Sequence, residues 1–147
     1  MPVLWWGGRR SRTSVGNPMT AEKPARREAM TLTEFLLARI AEDEEVAQSA
    51  TPGRWEQDSG WSITAPPPED WCGPNVVVET KQRNDAEFIA RHDPARVLAE
   101  CEAKREIVMC AQSAAIWGDD AGALEHCCQA LASVYSDHSD YLPEWKP

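Results

Sequence analysis

A chain of 147 residues, 27% of them charged, with a formal charge of −9, has room for one domain, or one domain and a tail. Its hydrophobic share of 42% is too high for a wholly disordered acidic chain, and no run approaches the ~18 apolar residues of a membrane helix. Residues 1–29 carry Arg9, Arg10, Arg12, Lys23, Arg26 and Arg27 against Glu22 and Glu28, so the −9 of the whole chain becomes −13 over residues 30–147.

A body of that charge repels phosphate backbones and anionic lipid, which argues against nucleic acid and membranes as its partners. The basic head lacks a hydrophobic period and is broken by Pro and Gly, so it reads as a disordered extension or a mis-called upstream start. Val3 to Trp6 is too short an apolar run for a secretory signal, and it precedes the arginines rather than following them. A cytoplasmic protein is the expectation.

Thr31-Leu32-Thr33-Glu34 is a capping box, with Met30 and Phe35 at the positions of a hydrophobic staple, so a domain is expected to begin at Met30. A helix is predicted from Leu32 to Ala50, with Leu32, Phe35, Leu36, Ile40 and Val46 or Ala47 inward and Glu42 to Glu45 as an acidic solvent face. Thr51-Pro52-Gly53 stops it. Short strands are predicted at Arg54–Gln57, Trp61–Thr64 and Asn75–Thr80, with turns at Asp58-Ser59-Gly60 and Cys72-Gly73-Pro74. Asn84 or Asp85 opens a brief helix that ends at Arg91-His92.

Asp93-Pro94 is a restart, Asp as the cap and Pro at the first helical position. Val97, Leu98, Cys101, Lys104/Arg105, Val108, Ala111 and Ala115 then mark a long helix to about Trp117. Gly118 ends it, and Asp119 or Asp120 caps a last helix whose inner face is Leu124, Cys127, Cys128, Leu131, Val134 and Tyr135. Tyr141, Leu142 and Trp145 in the short tail predict that it folds back on the helices. The fold class is α+β, mostly helical: three main helices, with a small, short-stranded β region between the first and second. Residues 30–147 are read as a single domain.

Four blocks in order resemble a family of small acidic proteins from actinomycetes and their phages, a domain of unknown function. They are Leu32 to Glu44, Ala50 to Trp55, Phe88 to Leu98 continued by Glu102 to Arg105, and Leu131 to Tyr141 closed by Pro143-Glu144-Trp145. The family usually has a second proline where Arg54 stands. Many members carry a cysteine-bearing segment between the last two helices, where this chain has only Ala111 to Leu124. The resemblance implies Met30 as the usual start and supplies no activity.

Three constellations could carry chemistry. An odd count of five cysteines, with no C-x-x-C pair, fits reduced thiols, and Cys101, Cys127 and Cys128 fall on apolar stripes, where cysteine behaves as a small hydrophobe. A zinc site would need Cys110, His126 and Cys127, with His138, although adjacent helical residues point about 100° apart; no cofactor is expected. His92 and Asp93 at one helix start, and Asp137, His138 and Asp140 after the last helix, would support acid–base or metal chemistry if the two histidines converge within ~10 Å. Without convergence, Asp93 is a helix cap and Asp-His-Ser-Asp is turn chemistry. Trp61 and Trp71, in the turn-rich middle, are candidates for binding a protein partner, while Trp55 and Trp145 are expected in the core. The favoured function is a non-catalytic interaction protein with an acidic surface; the alternative is a metal-dependent or acid–base enzyme built on the His/Asp cluster.

Overall fold

The computed structural model describes residues 30–118 and 120–147; the basic head, read above as an extension or an upstream start, lies outside the described residues. Helix α1 covers Leu32–Ser49 and opens on the complete capping box. The Thr31 hydroxyl accepts from the Glu34 N–H at 3.3 Å, and the Glu34 carboxylate accepts from the Thr31 N–H at 2.8 Å, which satisfies two of the orphan donors of the first turn. Met30 is 38% exposed.

Three short strands follow: β1 (Glu56–Gln57), β2 (Ser62–Ala65) and β3 (Asn75–Glu79). They form one antiparallel sheet in the order β1-β2-β3, with an irregularity between Ile63 and Thr64. Ile63 and Ala65 alternate inward on β2. Gly53 has φ +98°, and a Cβ there would meet Pro66 Cγ at 3.0 Å, so the loop leaving α1 lies close against the loop leaving β2 only because residue 53 lacks a side chain.

Helix α2 (Arg83–Arg91) leads through His92 into α3 (Pro94–Trp117). The Asp93 side chain accepts from the Arg96 N–H at 2.7 Å as the N-cap of α3, with proline in the first turn, and the helix stops at Gly118 with φ +81°, the left-handed C-cap that glycine adopts without strain. Helix α4 (Ala121–Ala132) is followed by single 3₁₀ turns at Ser133–Tyr135 and Pro143–Trp145. Among the described residues there are thus four α-helices rather than three, because the brief segment before Asp93 is a nine-residue helix in its own right. It opens at Gln82, without a side-chain cap, rather than at Asn84 or Asp85. The α+β, mostly helical class stands.

Helices α1, α3 and α4 pack on one another, and the sheet with α2 sits beside them. The core joins Phe35, Leu36, Ile40, Cys101, Val108, Ala111, Cys128, Ala132 and Trp145. Phe35 is its centre: the rings of Trp145, His138, Tyr141 and Tyr135 stand 4.9, 5.8, 6.0 and 6.3 Å from it, in tilted and edge-on arrangements that favour aromatic pairs. The C-terminal tail therefore folds back and is anchored on α1.

Of the alternatives Val46 and Ala47, Ala47 is the buried one and Val46 is 70% exposed. Several other inward assignments are corrected. Of the adjacent pair Cys127 and Cys128, one side chain alone can face the core of a helix, and it is Cys128. Val134 is 72% exposed because the chain tightens there into a 3₁₀ turn of about 120° per residue, which keeps Tyr135 against Phe35 and swings Val134 outward. Ala115 is exposed. Asp120 stands at the N-cap of α4 with φ +52° and no side-chain cap bond; the alternative cap, Asp119, lies outside the described residues.

Burial pushes the Cys101 and Cys128 thiols up from their ordinary pKa, whereas Cys72, Cys110 and Cys127 are exposed. Under native conditions a disulfide reagent should modify three thiols quickly and two slowly. Phe35→Ala, which empties the centre of the core at a cost of about 3–5 kcal/mol, should bring the slow pair into the fast class; five equally fast thiols in the unmodified protein would contradict this core.

Candidate functional site

Asp93 is 5% exposed and both of its oxygens are occupied: Oδ1 by the Arg96 N–H at 2.7 Å and Oδ2 by the Trp55 N–H at 3.2 Å. It ties the loop before β1 to the start of α3. His92 is exposed, with Nδ1 2.7 Å from the Phe88 carbonyl oxygen and its ring 4.3 Å from the Phe88 ring. It borders a cleft with Val46, Ala47 and Ala50, at the C-terminal end of α1.

His138 stands elsewhere, against Phe35 and Arg39 in the first half of α1. Eight residues separate Arg39 from Ala47, about 12 Å of helix axis. The Asp140 N–H donates to His138 Nδ1 at 3.1 Å, and the Arg39 guanidinium meets Nε2. Both ring nitrogens face donors, and a neutral imidazole can accept at one of them. Asp137 and Asp140 are exposed. The two histidines thus lie near different ends of α1, His92 bonded to Phe88 and His138 to Arg39. Cys110, His126 and Cys127 are exposed on α3 and α4, while His138 is engaged with Arg39; among the described residues no three His, Cys, Asp or Glu side chains group as a metal set.

The charged cluster that the fold does assemble lies between α1, α3 and the turn after α4. Arg39 is 7% exposed. Its guanidinium lies 5.5 Å from the centre of the Phe35 ring, donates to Glu42 at 2.7 Å, and leaves Nε buried without a partner. One turn on, the Tyr135 hydroxyl donates to Asp43 at 2.6 Å, and Lys104 approaches both Tyr135 at 3.4 Å and Asp43 at 3.8 Å. Arg105 grips Glu44 with both terminal nitrogens, Nη2 at 2.7 Å, a bidentate geometry that carries direction as well as charge. The middle of the acidic run is therefore a seam between helices rather than the solvent face expected from its composition. Half of the signal was present: Arg39 lies on the Leu36–Ile40–Ala47 stripe, and Lys104-Arg105 interrupts the apolar face of α3.

Burial, then the bond to Asp43, raises the Tyr135 phenol far above its ordinary value, and the Arg105 hydrogen bonds hold the Glu44 carboxyl below its own. Trp61 and Trp71 take no part in this seam. They bracket the β2–β3 hairpin, Trp61 before Ser62 and Trp71 in the loop between Ala65 and Asn75, and are 56% and 58% exposed. Val76 of β3, opposite Thr64, is 45% exposed between them. Trp61 is held by its carbonyl, which accepts both the N–H and the hydroxyl of Thr80 at 2.9 Å; Trp71 by a turn whose N–H reaches the Pro68 carbonyl at 3.0 Å. Trp145 is buried, and Trp55 is half-buried with Nε1 bonded to the Thr51 carbonyl at 2.9 Å.

A family model described as a family of unknown function, DUF6221, matches residues 29–147. The chain belongs to that family, and the match begins one residue before Met30. No curated protein and no solved structure matches it. No helix among the described residues is long and apolar enough to cross a membrane.

The two shifts in the seam have opposite signs on the pH axis. Tyr135 binds its proton more tightly when folded, so its contribution is present below the ordinary phenol pKa of about 10 and is lost as pH rises beyond it. Glu44 contributes above the ordinary glutamate pKa and loses that contribution as pH falls through the folded value. Urea midpoints measured across pH should fall on both flanks. Tyr135→Phe should make the alkaline flank shallower, leaving the share that belongs to the buried Cys101 and Cys128 thiols, and should leave the acid flank in place; an unchanged alkaline flank would contradict the buried phenol.

Proposed function

We propose that the protein is a small, non-catalytic, cytoplasmic interaction protein of actinomycetes or their phages that docks on a cationic protein partner through the Trp61–Trp71 hairpin. The observation that supports this reading is the exposure of two tryptophans at the two ends of one short hairpin, with the Trp61 carbonyl bonded to Thr80 and the Trp71 N–H to the Pro68 carbonyl. Isolated apolar side chains on a surface need no explanation, but tryptophan is the residue type most enriched where binding energy concentrates. The net −13 of residues 30–147 would speed and orient the approach of a basic partner, with the salt dependence such steering carries.

The separation of His92 from His138 along α1, and the commitment of Asp93 to two backbone N–H groups, weigh against the alternative of an acid–base or metal-dependent enzyme that unites His92, Asp93, Asp137, His138 and Asp140.

Affinity capture from the native host, run in parallel with the protein and a Trp61→Ala/Trp71→Ala variant, tests the reading. A basic protein should be retained by the first and lost from the second, with retention falling as salt rises, while the stability of the variant changes by less than about 0.5 kcal/mol. Identical captures would overturn the assignment, and so would a variant that unfolds, because the tryptophans would then be core.

A further inference from the structure

Helix α3 buries one side and leaves the other bare. Val108 and Ala111 turn into the core against α1 and α4. Away from that side, Ile107, Met109 and Ile116 are 36%, 52% and 74% exposed, Cys110 and Ser113 are exposed, and Ala114 is half-buried. Residues 107–118 hold no Asp, Glu, Lys or Arg in a chain that is 27% charged, so this surface lacks the charge that solvates the rest of the body. Single apolar side chains on a surface are ordinary, but a helix that is apolar all round is a buried helix. The described residues cover this one on one side only.

At about 100° per residue, the exposed side chains sort into three rows. Ile107 and Ala114 stand on one flank, Met109 and Ile116 on the other, and the small Cys110 and Ser113 run between them. The pattern matches itself when it is reversed about a point between Cys110 and Ser113. A second α3 laid antiparallel across that point sets Ile107 of each copy against Ala114 of the other, and Met109 against Ile116, an isologous contact in which every pair occurs twice. The small middle row lets the two helices approach, and the flanks supply the ridges that interdigitate. Antiparallel packing also keeps the two Glu106 carboxylates, at the start of the bare stretch, about 16 Å apart along the axis. That exceeds the screening length of about 8 Å at physiological salt; parallel packing would set them side by side.

We propose that the bare side of α3 is the interface of a homodimer, with a second copy of this chain as its occupant and the two-fold axis passing between Cys110 and Ser113. An uncharged face offers nothing to the cationic partner assigned to the Trp61–Trp71 hairpin, whose attraction rests on carboxylates. Two acidic copies, by contrast, repel each other least across such a face. The area sets the strength. Ten residues of helix span about 15 Å, and a copy laid across them buries on the order of 1,000 Å² in total, the lower limit of a specific interface. The dimer is therefore concentration-dependent rather than obligate. It is independent of the hairpin reading: it uses another element, and its salt dependence has the opposite sign, because salt screens the repulsion between two chains of −9 each.

Sedimentation velocity of the full chain from about 1 to 300 μM tests this. A shift from monomer to dimer is expected, with a dissociation constant on the order of 10–100 μM that tightens as sodium chloride is raised. Met109→Glu and Ile116→Glu, both at exposed positions, should each weaken the dimer about tenfold or more, with the fold verified by circular dichroism. Trp61→Ala/Trp71→Ala should leave it intact. In a Cys72→Ser/Cys127→Ser chain a short bismaleimide should link Cys110 of one copy to Cys110 of the other, and this cross-link reads the contact without either Glu variant. A monomer at every concentration, or a dimer indifferent to both Glu variants, would overturn the proposal. So would failure of the Cys110 cross-link, or a dimer that weakens as salt rises, the mark of a basic head held on an acidic body. A chain that stays monomeric and binds phosphatidylcholine vesicles, with Ile116→Glu abolishing that binding, would assign the face to lipid instead.

Discussion

The constraint on which the structure turns is that α1 must bring an arginine and a run of carboxylates into contact with its neighbours while burying Phe35 and Leu36 beside them. An unpaired charge at such a position would cost several kcal/mol. The fold meets this by matching: Arg39 to Glu42 and His138, Asp43 to Tyr135 and Lys104, Glu44 to Arg105. Apart from Glu42 on α1 itself, the partners come from two elements, α3 with Lys104 and Arg105 and the stretch after α4 with Tyr135 and His138, so the register of α1 against α3 and the position of that stretch are set together. The aromatic cage around Phe35 then follows, because Tyr135 and His138 belong to both the charged seam and the cage.

This arrangement changes what the acidity of the body means. Four successive acidic residues on a helix suggest a solvated face, yet Asp43 and Glu44 are consumed in holding helices together, and part of the cationic complement is consumed with them. Outside the seam, arginines and carboxylates lie side by side, as in the Arg91–Glu87 and Arg96–Glu100 pairs, and two tryptophans stand exposed on the hairpin.

Much of the fold was legible from local rules. The capping box at Thr31, the Asp93-Pro94 restart and the Gly118 stop depend on the backbone needs of helix ends, and the structure uses all three. The tail's return was legible from its aromatics. What periodicity could not supply was which member of an adjacent pair faces inward, as with Cys127 and Cys128, or that the chain tightens at Ser133 and expels Val134. The polar interruption at Lys104-Arg105 was legible, but not that it meets Asp43 and Glu44, since contacts about 60 residues apart depend on the packing of two helices. The candidate site shows the same limit. Exposure of Trp61 and Trp71 was anticipated from their turn-rich context, whereas the spacing of His92 from His138 required three dimensions.

The most direct test of the seam is a double-mutant cycle on Asp43→Asn and Tyr135→Phe, with unfolding free energies measured for the four proteins at neutral pH. If the acidic run holds α1 to the turn after α4, the two changes should be non-additive by about 1 kcal/mol, the scale of a partly solvated hydrogen bond to a charged group. Strictly additive costs would show that Asp43 and Tyr135 act independently, and would return the acidic run to the solvent.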